Sequence, residues 1–509
     1  MPLLGSFIKK GIALRGLVLP EPNRPIQAQR KVLKKLLKKA QFTMFGEHYN
    51  FMGILKSRHY VKTFQQTVPI HDYNKIFSQW WNKCLHHEED VCWPGQVKYF
   101  ALSSGTSESS SKHIPVTRDL LKSIKKTSMR QFFSMANYHM NEKTFQKGVL
   151  MLGGSTQLRN RGSYYEGDLS GITTGNIPFW FQHFYKPGKR ISRQHDWGTK
   201  LDNITEMAPN WDIGVIVGVP AWLQMLLEKI IARYNLNHIH EIWPNLSLFV
   251  HGGVSFEPYK KSFQSLLGHP IKYMETYLAS EGFIAIQEYA DRSMNLVLNN
   301  GLFFEFIPFT DENFTTEGDL KGKPDTLLID EIKEDEEYAL LISSNAGAWR
   351  YLIGDVIKFT NKQRCEIAIA GRTKHYLSLC GEHLSVDNMN KAVEMVSDEL
   401  NISIPEFTVA GIPYDTLFAH KWFVGCDDKV DALVLRNKID EKLKLINDDY
   451  RIERTAALKE VIVEVLPTTV FMSWMESKGK MGSQHKFPRV MKNKIYAEWQ
   501  DYVNKNHQK

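Results

Sequence analysis

Short apolar runs bounded by glycine recur between residues 96 and 370, and they constrain the fold more than any other feature of this chain. "KGVLMLGG", "WDIGVIVGVP", "LSLFVHGGV", "GLFFEFIPF" and "EYALLIS" are rich in β-branched, aliphatic and aromatic residues and carry almost no charge inside. A run of that length without polar alternation reads as a strand covered on both faces. The stretches "AWLQMLLEKIIARYN" and "YKKSFQSLLG" between them have helical spacing. Strands alternating with helices predict an α/β architecture with buried strands. Residues 1–95 read as helical, and from about residue 371 the texture changes. "NMNKAVEMVSDELN", "FTVAGIP", "HKWFVGC", "DALVLRNKIDEKLKLINDDY" and "LKEVIVEVLP" suggest a small α+β unit of about 140 residues. The sharpest boundary candidate is "IAIAGRTKHYLSL", so the expected division is 1–370 and 371–509.

Composition excludes several classes. The chain has 509 residues, enough for two to four domains, and is 43% hydrophobic and 24% charged, as ordinary globular proteins are. No apolar run approaches the roughly 20 residues of a membrane helix. Lysines interrupt the apolar N-terminal stretch "MPLLGSFIKKGIALRGLVLP", which argues against a secretory leader. Cys84, Cys92, Cys365, Cys380 and Cys426 are odd in number and lack C-x-x-C spacing. They read as free thiols of a reducing, cytoplasmic protein without a zinc site. His86 and His87 precede three acids, but adjacent residues face apart on a helix, so a solvated turn is the better reading than a metal site. The net charge is +8, and much of it can come from "AQRKVLKKLLKKAQ" at 27–40. Leu33, Leu36 and Leu37 share one face there, ringed by five lysines, as expected of a helix with core leucines and a solvated basic face. The chain shows too few basic stripes for a nucleic-acid protein, and no membrane partner is expected.

Four stretches carry chemistry. "SSGTSESSSKHIPVT" (Ser103–Thr117) lies between the strand-like "VKYFAL" and a helical stretch that Thr117 is placed to cap. Glycine among small hydroxyls lets backbone approach an anion and supplies N–H and O–H donors, so the stretch reads as a phosphate loop or as a plain connector. It lacks the G-x-x-x-x-G-K-[ST] pattern. "METYLASEGFIAIQ" (Met274–Gln287) holds Glu281, read either as a helix-start acid or as a carboxylate for Mg²⁺ beside a polyphosphate. "WRYLIGDVIKF" (Trp349–Phe359) embeds Asp355 in an apolar strand after Gly354, where a charge is costly unless paired or hydrogen-bonded. "KGKMGSQHKFPRV" (Lys478–Val490) is a basic, flexible segment, an exposed loop or a carrier of Lys486 to a negative substrate.

In this order and spacing the stretches resemble the motifs of the GH3 family of acyl acid–amido synthetases, within the adenylate-forming superfamily of firefly luciferase. "SSGTS" resembles the family's phosphate loop, "TYLASEG" its second motif, "YLIGDV" its third and "GSQHKFPR" its C-terminal stretch. "GGVSFEPY" and "GRTKHYLSLCGEHL" look more like the bacterial branch than the plant one. The resemblance covers nearly the whole chain. It implies a large N-terminal luciferase-like domain with mixed sheets and packed helices, and a small mobile α+β C-terminal domain that turns about a hinge near Arg372–Lys374.

It also implies a reaction. ATP activates a small carboxylic acid as its adenylate, and an amine, by family likeness an amino acid, displaces AMP to give an amide. Ser103, Ser104, Gly105, Thr106 and Ser107 would cradle the phosphates. Glu281 would hold Mg²⁺. Thr276, Tyr277 and Ser280 would lie by the nucleotide, with Tyr277 at the adenine, and Asp355 would accept the ribose hydroxyls. Lys486 would meet the α-phosphate. Three positions depart from the family pattern: Leu352 stands where an arginine is usual, Leu278-Ala279 precede Ser280, and Glu382 and His383 stand near a lysine position of plant members. Arg372 or Lys374 is the candidate to replace that lysine. A coenzyme A thioester ligase and a non-catalytic nucleotide-binding relative are the alternative readings. The pocket walls for the acid are expected from the helix 120–140 and the strands around Val217 and Gly252.

Overall fold

The structure, a computed structural model, describes residues 24–103, 112–174, 182–194, 196–254, 256–315, 318–374, 376–377, 379–382, 384–478, 487–491 and 493–507. The chain forms two compact units, one running up to Lys374 and the other comprising the residues after it.

The first unit is built on one mixed sheet of eleven strands. Five of them run parallel in the order Tyr185–Lys186, Gly148–Leu152, Ile213–Gly218, Leu248–Gly252 and Lys272–Ala279. The middle three, Gly148–Leu152, Ile213–Gly218 and Leu248–Gly252, are uncharged apolar runs of the sequence, and residues such as Leu150, Ile216, Phe249 and Met274 are completely buried. Beyond Lys272–Ala279 the sheet turns antiparallel through Gly282–Ile286, Met294–Leu296, Glu366–Arg372, Tyr351–Asn361, Glu337–Ser344 and Leu302–Pro308. A second sheet of four strands contains Tyr99–Ser103 and Lys112–Val116, paired antiparallel from Tyr99↔Val116 to Ser103↔Lys112.

Helix Pro25–Ala40 is the lysine-rich segment. Leu33, Leu36 and Leu37 are buried as the sequence pattern predicts, while Lys31, Lys34, Lys35, Lys38 and Lys39 are exposed. Each such leucine contributes about 1.5–3 kcal/mol by leaving water. The buried Gln29 ties this helix to the sheet: its amide donates to the carbonyls of Leu298 and Leu302 at 2.8 and 3.0 Å and accepts from the Phe304 N–H at 2.7 Å. Helix Arg118–Ser134 starts where the sequence placed it, because the Thr117 hydroxyl caps the Leu120 N–H at 3.0 Å. His86 and His87 end in an exposed turn, and all five cysteines are free and buried.

The second unit is a small α+β body. Its sheet runs Leu458–Leu466, Leu417–Gly425, Glu406–Tyr414 and Val490–Met491. Helices Val386–Leu400, Ala432–Ile446, Thr468–Ser477 and Asn493–His507 accompany it. Phe423, Phe471, Trp474, Phe487 and Trp499 form one aromatic core cluster. The first helix of this unit opens with a reciprocal capping box between Ser385 and Asn388.

Candidate active site

The site is built where the large sheet changes from parallel to antiparallel. Strands Lys272–Ala279 and Gly282–Ile286 pair with Ala279 opposite Gly282, so Ser280 and Glu281 form the tip of a two-residue hairpin. The helix-start reading of Glu281 is therefore corrected: "ASEG" turns one strand into the next. Glu281 is only 7% exposed, and burial raises its carboxyl above the ordinary range even though the Lys112 charge opposes the shift. The Tyr351 hydroxyl hydrogen-bonds to it, and the Tyr73 hydroxyl, pushed up to about 12 by burial, also feels its charge.

Strand Tyr351–Asn361 delivers Asp355 through a local irregularity. The register against Glu337–Ser344 jumps from Leu341↔Leu352 to Ala339↔Val356, so Ile353, Gly354 and Asp355 face Leu340 alone. Gly354 has φ +91°, which a side chain rarely tolerates. The bulge re-aims Asp355 out of the apolar alternation around it. Its carboxylate is then paired twice. Arg372, its register partner on the next strand, brings Nε to 2.8 Å from one oxygen, and the Tyr277 hydroxyl donates to the other. Burial drives the Tyr277 phenol well above its usual range, with the Asp355 charge adding to it. A carboxylate has about four lone-pair positions, so Asp355 keeps acceptor capacity for a diol.

Lys112, which the sequence reading passed over, lies in this group. It is the first residue of its strand, opposite Ser103, with Nζ 5.2 Å from the centre of the Tyr73 ring. Burial lowers its ammonium from 10.5 to about 8 although Glu281 and Asp355 both favour the charge. Its only sequence signal is its place at the end of the Ser-rich run, just before "HIPV". Tyr73 was also missed, because nothing local marks it apart from other core tyrosines, and Tyr351 was read only as the first residue of "YLIGDV", without a role of its own.

The remaining assignments divide clearly. Tyr277, Glu281, Asp355 and Arg372 are brought together. Thr276 and Ser280 flank them, and the Thr276 hydroxyl oxygen is buried with no hydrogen-bond partner among the described residues. A methyl on Gly252, Thr276's register partner, would lie 2.4 Å from the Thr276 carbonyl oxygen, so only glycine allows this approach. Lys374 is paired with Asp319 at 2.9 Å, and its charge also acts on Lys112. Ser103 ends the strand Tyr99–Ser103, while Ser104, Gly105, Thr106, Ser107, His383 and Lys486 lie outside the described residues. Among the described residues no group of three or more His, Cys, Asp or Glu is placed to hold a metal. Glu281 alone suits a Mg²⁺ ion that takes most of its ligands from phosphate and water.

Two of the departures have structural explanations. Leu352 packs against the core cluster of Ile307, Phe314 and Ala339, and its N–H donates to the His71 carbonyl at 2.8 Å. Glu382 is fully buried in the second unit, where it accepts from the N–H groups of Leu379 and Cys380 at 2.9 and 2.8 Å and from His420 Nε2 at 2.9 Å. Burial pushes its carboxyl up, but His420 and these donors outweigh that and hold it below the usual range. It anchors a turn.

A mixed-sheet first unit and a small α+β second unit define the class of fold. The chain superposes on a 2-hydroxyisobutyryl-CoA ligase with a TM-score of 0.60 at 13% identity, over 96% of this chain and 97% of that one. It superposes on the GH3.15 acyl acid amido synthetase with a TM-score of 0.57 at 16% identity, over 94% and 93%. The chain belongs to the GH3 family: its N-terminal domain model matches residues 21–197, its central domain model 295–372 and its C-terminal domain model 387–495. Among curated proteins, a jasmonoyl–L-amino acid synthetase JAR4 of Nicotiana attenuata is 29% identical over 183 residues, covering 33% of this chain and 30% of the relative. An indole-3-acetic acid-amido synthetase GH3.4 of Arabidopsis thaliana is 25% identical over 333 residues, covering 60% and 54%. These matches span about a third to a half of the relatives' length.

Proposed function

We propose that this protein is an acyl acid–amido synthetase: it adenylates a small carboxylic acid with ATP and transfers the acyl group to an amine, an amino acid by family likeness. The observation that carries this reading is the convergence of Tyr277, Asp355 and Arg372 beside buried Glu281 and the Lys112 charge that acts on it, in a GH3 chain.

The chemistry explains why such a site is needed. A free carboxylate has no leaving group at neutral pH. Its oxygen attacks the α-phosphorus of ATP, the bond to the bridging oxygen breaks, and pyrophosphate departs. The amine then attacks the acyl carbon, the bond to AMP breaks, and the ammonium proton is lost to solvent. Both steps gather negative charge on phosphate, so preorganised cations and donors lower their barriers. Asp355 accepts the ribose hydroxyls while Arg372 and Tyr277 hold its orientation. Tyr277 stacks near the adenine. Lys112 offers its ammonium to the phosphate chain at the point where Ser103 leads into the Ser104–Ser107 loop. Glu281 would hold Mg²⁺, which would supply positive charge beside the phosphates. Lys486 is the lysine that the family pattern assigns to the α-phosphate. The large ATP- and acyl-binding domain corresponds to residues 1–370 and the small C-terminal domain to 371–509. Among the described residues no helix is long and apolar enough to cross a membrane.

The test is a mass analysis of products from ATP, a panel of aryl and alkyl acids, and a mixture of amino acids. An amide whose formation requires both ATP and one acid supports the proposal. A thioester formed only with coenzyme A replaces it with the thioester-ligase reading.

A further inference from the structure

The exposed lysines of helix Pro25–Ala40 are not simply a solvated face. Lys31, Lys35 and Lys39 form one wall of a cavity of about 650 Å³ whose other walls come from the start of helix Arg118–Ser134 and the turn Asn299–Gly301. Six cations line it: Arg24, Lys31, Lys35, Lys39, Lys122 and Lys126. Its one carboxylate, Asp119, is already engaged, by Lys39 at 2.6 Å, Lys122 at 3.4 Å and the Trp93 indole N–H at 3.1 Å. Among the described residues no carboxylate pairs with Arg24, Lys31, Lys35 or Lys126. The cavity thus holds an excess of five positive charges in a chain whose net charge is +8. Like charges gathered in one concavity repel each other unless an anion enters.

The floor is polar and built. Asn345, 6% exposed, donates to Ser123 Oγ at 2.7 Å and to the Asp119 carbonyl at 3.2 Å. Asn300 donates to the Ser123 carbonyl at 2.6 Å and to Thr127 Oγ1 at 2.7 Å. Gly301, at φ +79°, closes this floor, since a methyl there would lie 2.4 Å from the Asn345 side-chain nitrogen. The Asn345 side-chain oxygen is buried and has no hydrogen-bond partner among the described residues.

We infer that this cavity is a second ligand site, separate from Asp355 and Glu281, which takes a small molecule carrying several phosphate groups. The volume lies in the range of small-ligand pockets, and the concave shape, walled by three elements, suits neither a bilayer surface nor a duplex.

Inorganic tripolyphosphate is the probe, titrated calorimetrically into the full chain at low salt. It is titrated equally into Lys31→Gln/Lys35→Gln/Lys126→Gln and into the same three positions changed to arginine. The wild type and the arginine variant bind within threefold of each other, the glutamine variant at least tenfold more weakly, and added KCl weakens the wild type. All three positions are exposed and break no ion pair, so equal thermal unfolding accompanies the result. Pyrophosphate–ATP exchange by the glutamine variant stays within twofold of wild type. Identical isotherms for wild type and glutamine variant overturn the inference, as does a parallel loss of exchange, which would assign these lysines to the nucleotide site. A wild type without any exchange would sink the proposed activity and leave the binding result standing.

Discussion

Replacing Lys112 by methionine stabilises the fold while disabling the site. Burial lowers this ammonium from 10.5 to about 8. A displacement of that size corresponds to about 3 kcal/mol of cost for holding the charge inside. Partial exposure of the side chain and the lost contact with the Tyr73 ring, about 0.5–1 kcal/mol, reduce the gain on substitution. Glu281 loses its neighbouring cation, but its carboxyl is already raised and can take up a proton. The net expectation is a gain of about 1–2 kcal/mol at pH 7, or roughly 0.5 M in the urea midpoint. The pH dependence has a definite sign. The folded value lies below the unfolded one, so below pH 8 both states carry the proton and the cost is present in full. Between pH 8 and 10.5 the native state releases the proton and the unfolded state keeps it, so the wild type gains stability as pH rises. The assay is urea unfolding of both proteins without ATP or Mg²⁺ at pH 7 and 9.5. The variant's advantage shrinks at the higher pH. A less stable variant at pH 7, or an advantage independent of pH, refutes the reasoning.

Three further predictions concern the frame of the site. Arg350 and Glu305 form a buried pair, 6% and 1% exposed, in which Arg350 also donates to the Gln65 and Val68 carbonyls at 2.6 and 2.8 Å. Arg350→Met leaves Glu305 buried and unpaired and costs about 3–5 kcal/mol in urea unfolding, while adding Glu305→Leu recovers part of the loss. Gly252→Ala forces a methyl to 2.4 Å from the Thr276 carbonyl, so thermal stability falls by about 1–3 kcal/mol and pyrophosphate exchange drops with it. In the second unit, the lowered Glu382 carboxyl contributes stability above its unfolded value of 4.5, and this is lost as pH falls through the folded value. His420→Ala lowers amide-exchange protection of strand Leu417–Gly425 at pH 7, and the deficit narrows as the solution is acidified.

Apolar runs and flanking glycines located Gly148–Leu152, Ile213–Gly218, Leu248–Gly252, Leu302–Pro308, Glu337–Ser344 and the strand around Asp355, because strands buried on both faces leave continuous apolar runs, whereas Lys272–Ala279 and Gly282–Ile286, which flank Ser280 and Glu281, were not read as strands. Thr117 as a cap and the leucine face of helix Pro25–Ala40 were equally readable, since both follow from local geometry. What the sequence could not show is pairing at a distance. Asp355 meets Arg372 only because strands Tyr351–Asn361 and Glu366–Arg372 are in that register, and Tyr277 reaches the same carboxylate from a strand 78 positions earlier. Lys112 has no local signature, because its character comes from burial beside Glu281. Glu382 looked like a missing cation until its partner His420, 38 positions away, explained it as an anchor. The basic cavity escaped notice for the same reason: helix Pro25–Ala40 supplies one wall and the others come from distant segments.

The central claim is adenylation at the Asp355–Glu281 site, and the direct measurement is carboxylate-dependent exchange of labelled pyrophosphate into ATP, across aryl and alkyl acids, by the wild type, Glu281→Ala and Asp355→Ala. The account predicts exchange with one class of acid in the wild type and its loss in both variants, each of which remains folded. Exchange that survives in both variants, or a wild type that binds no ATP, contradicts it.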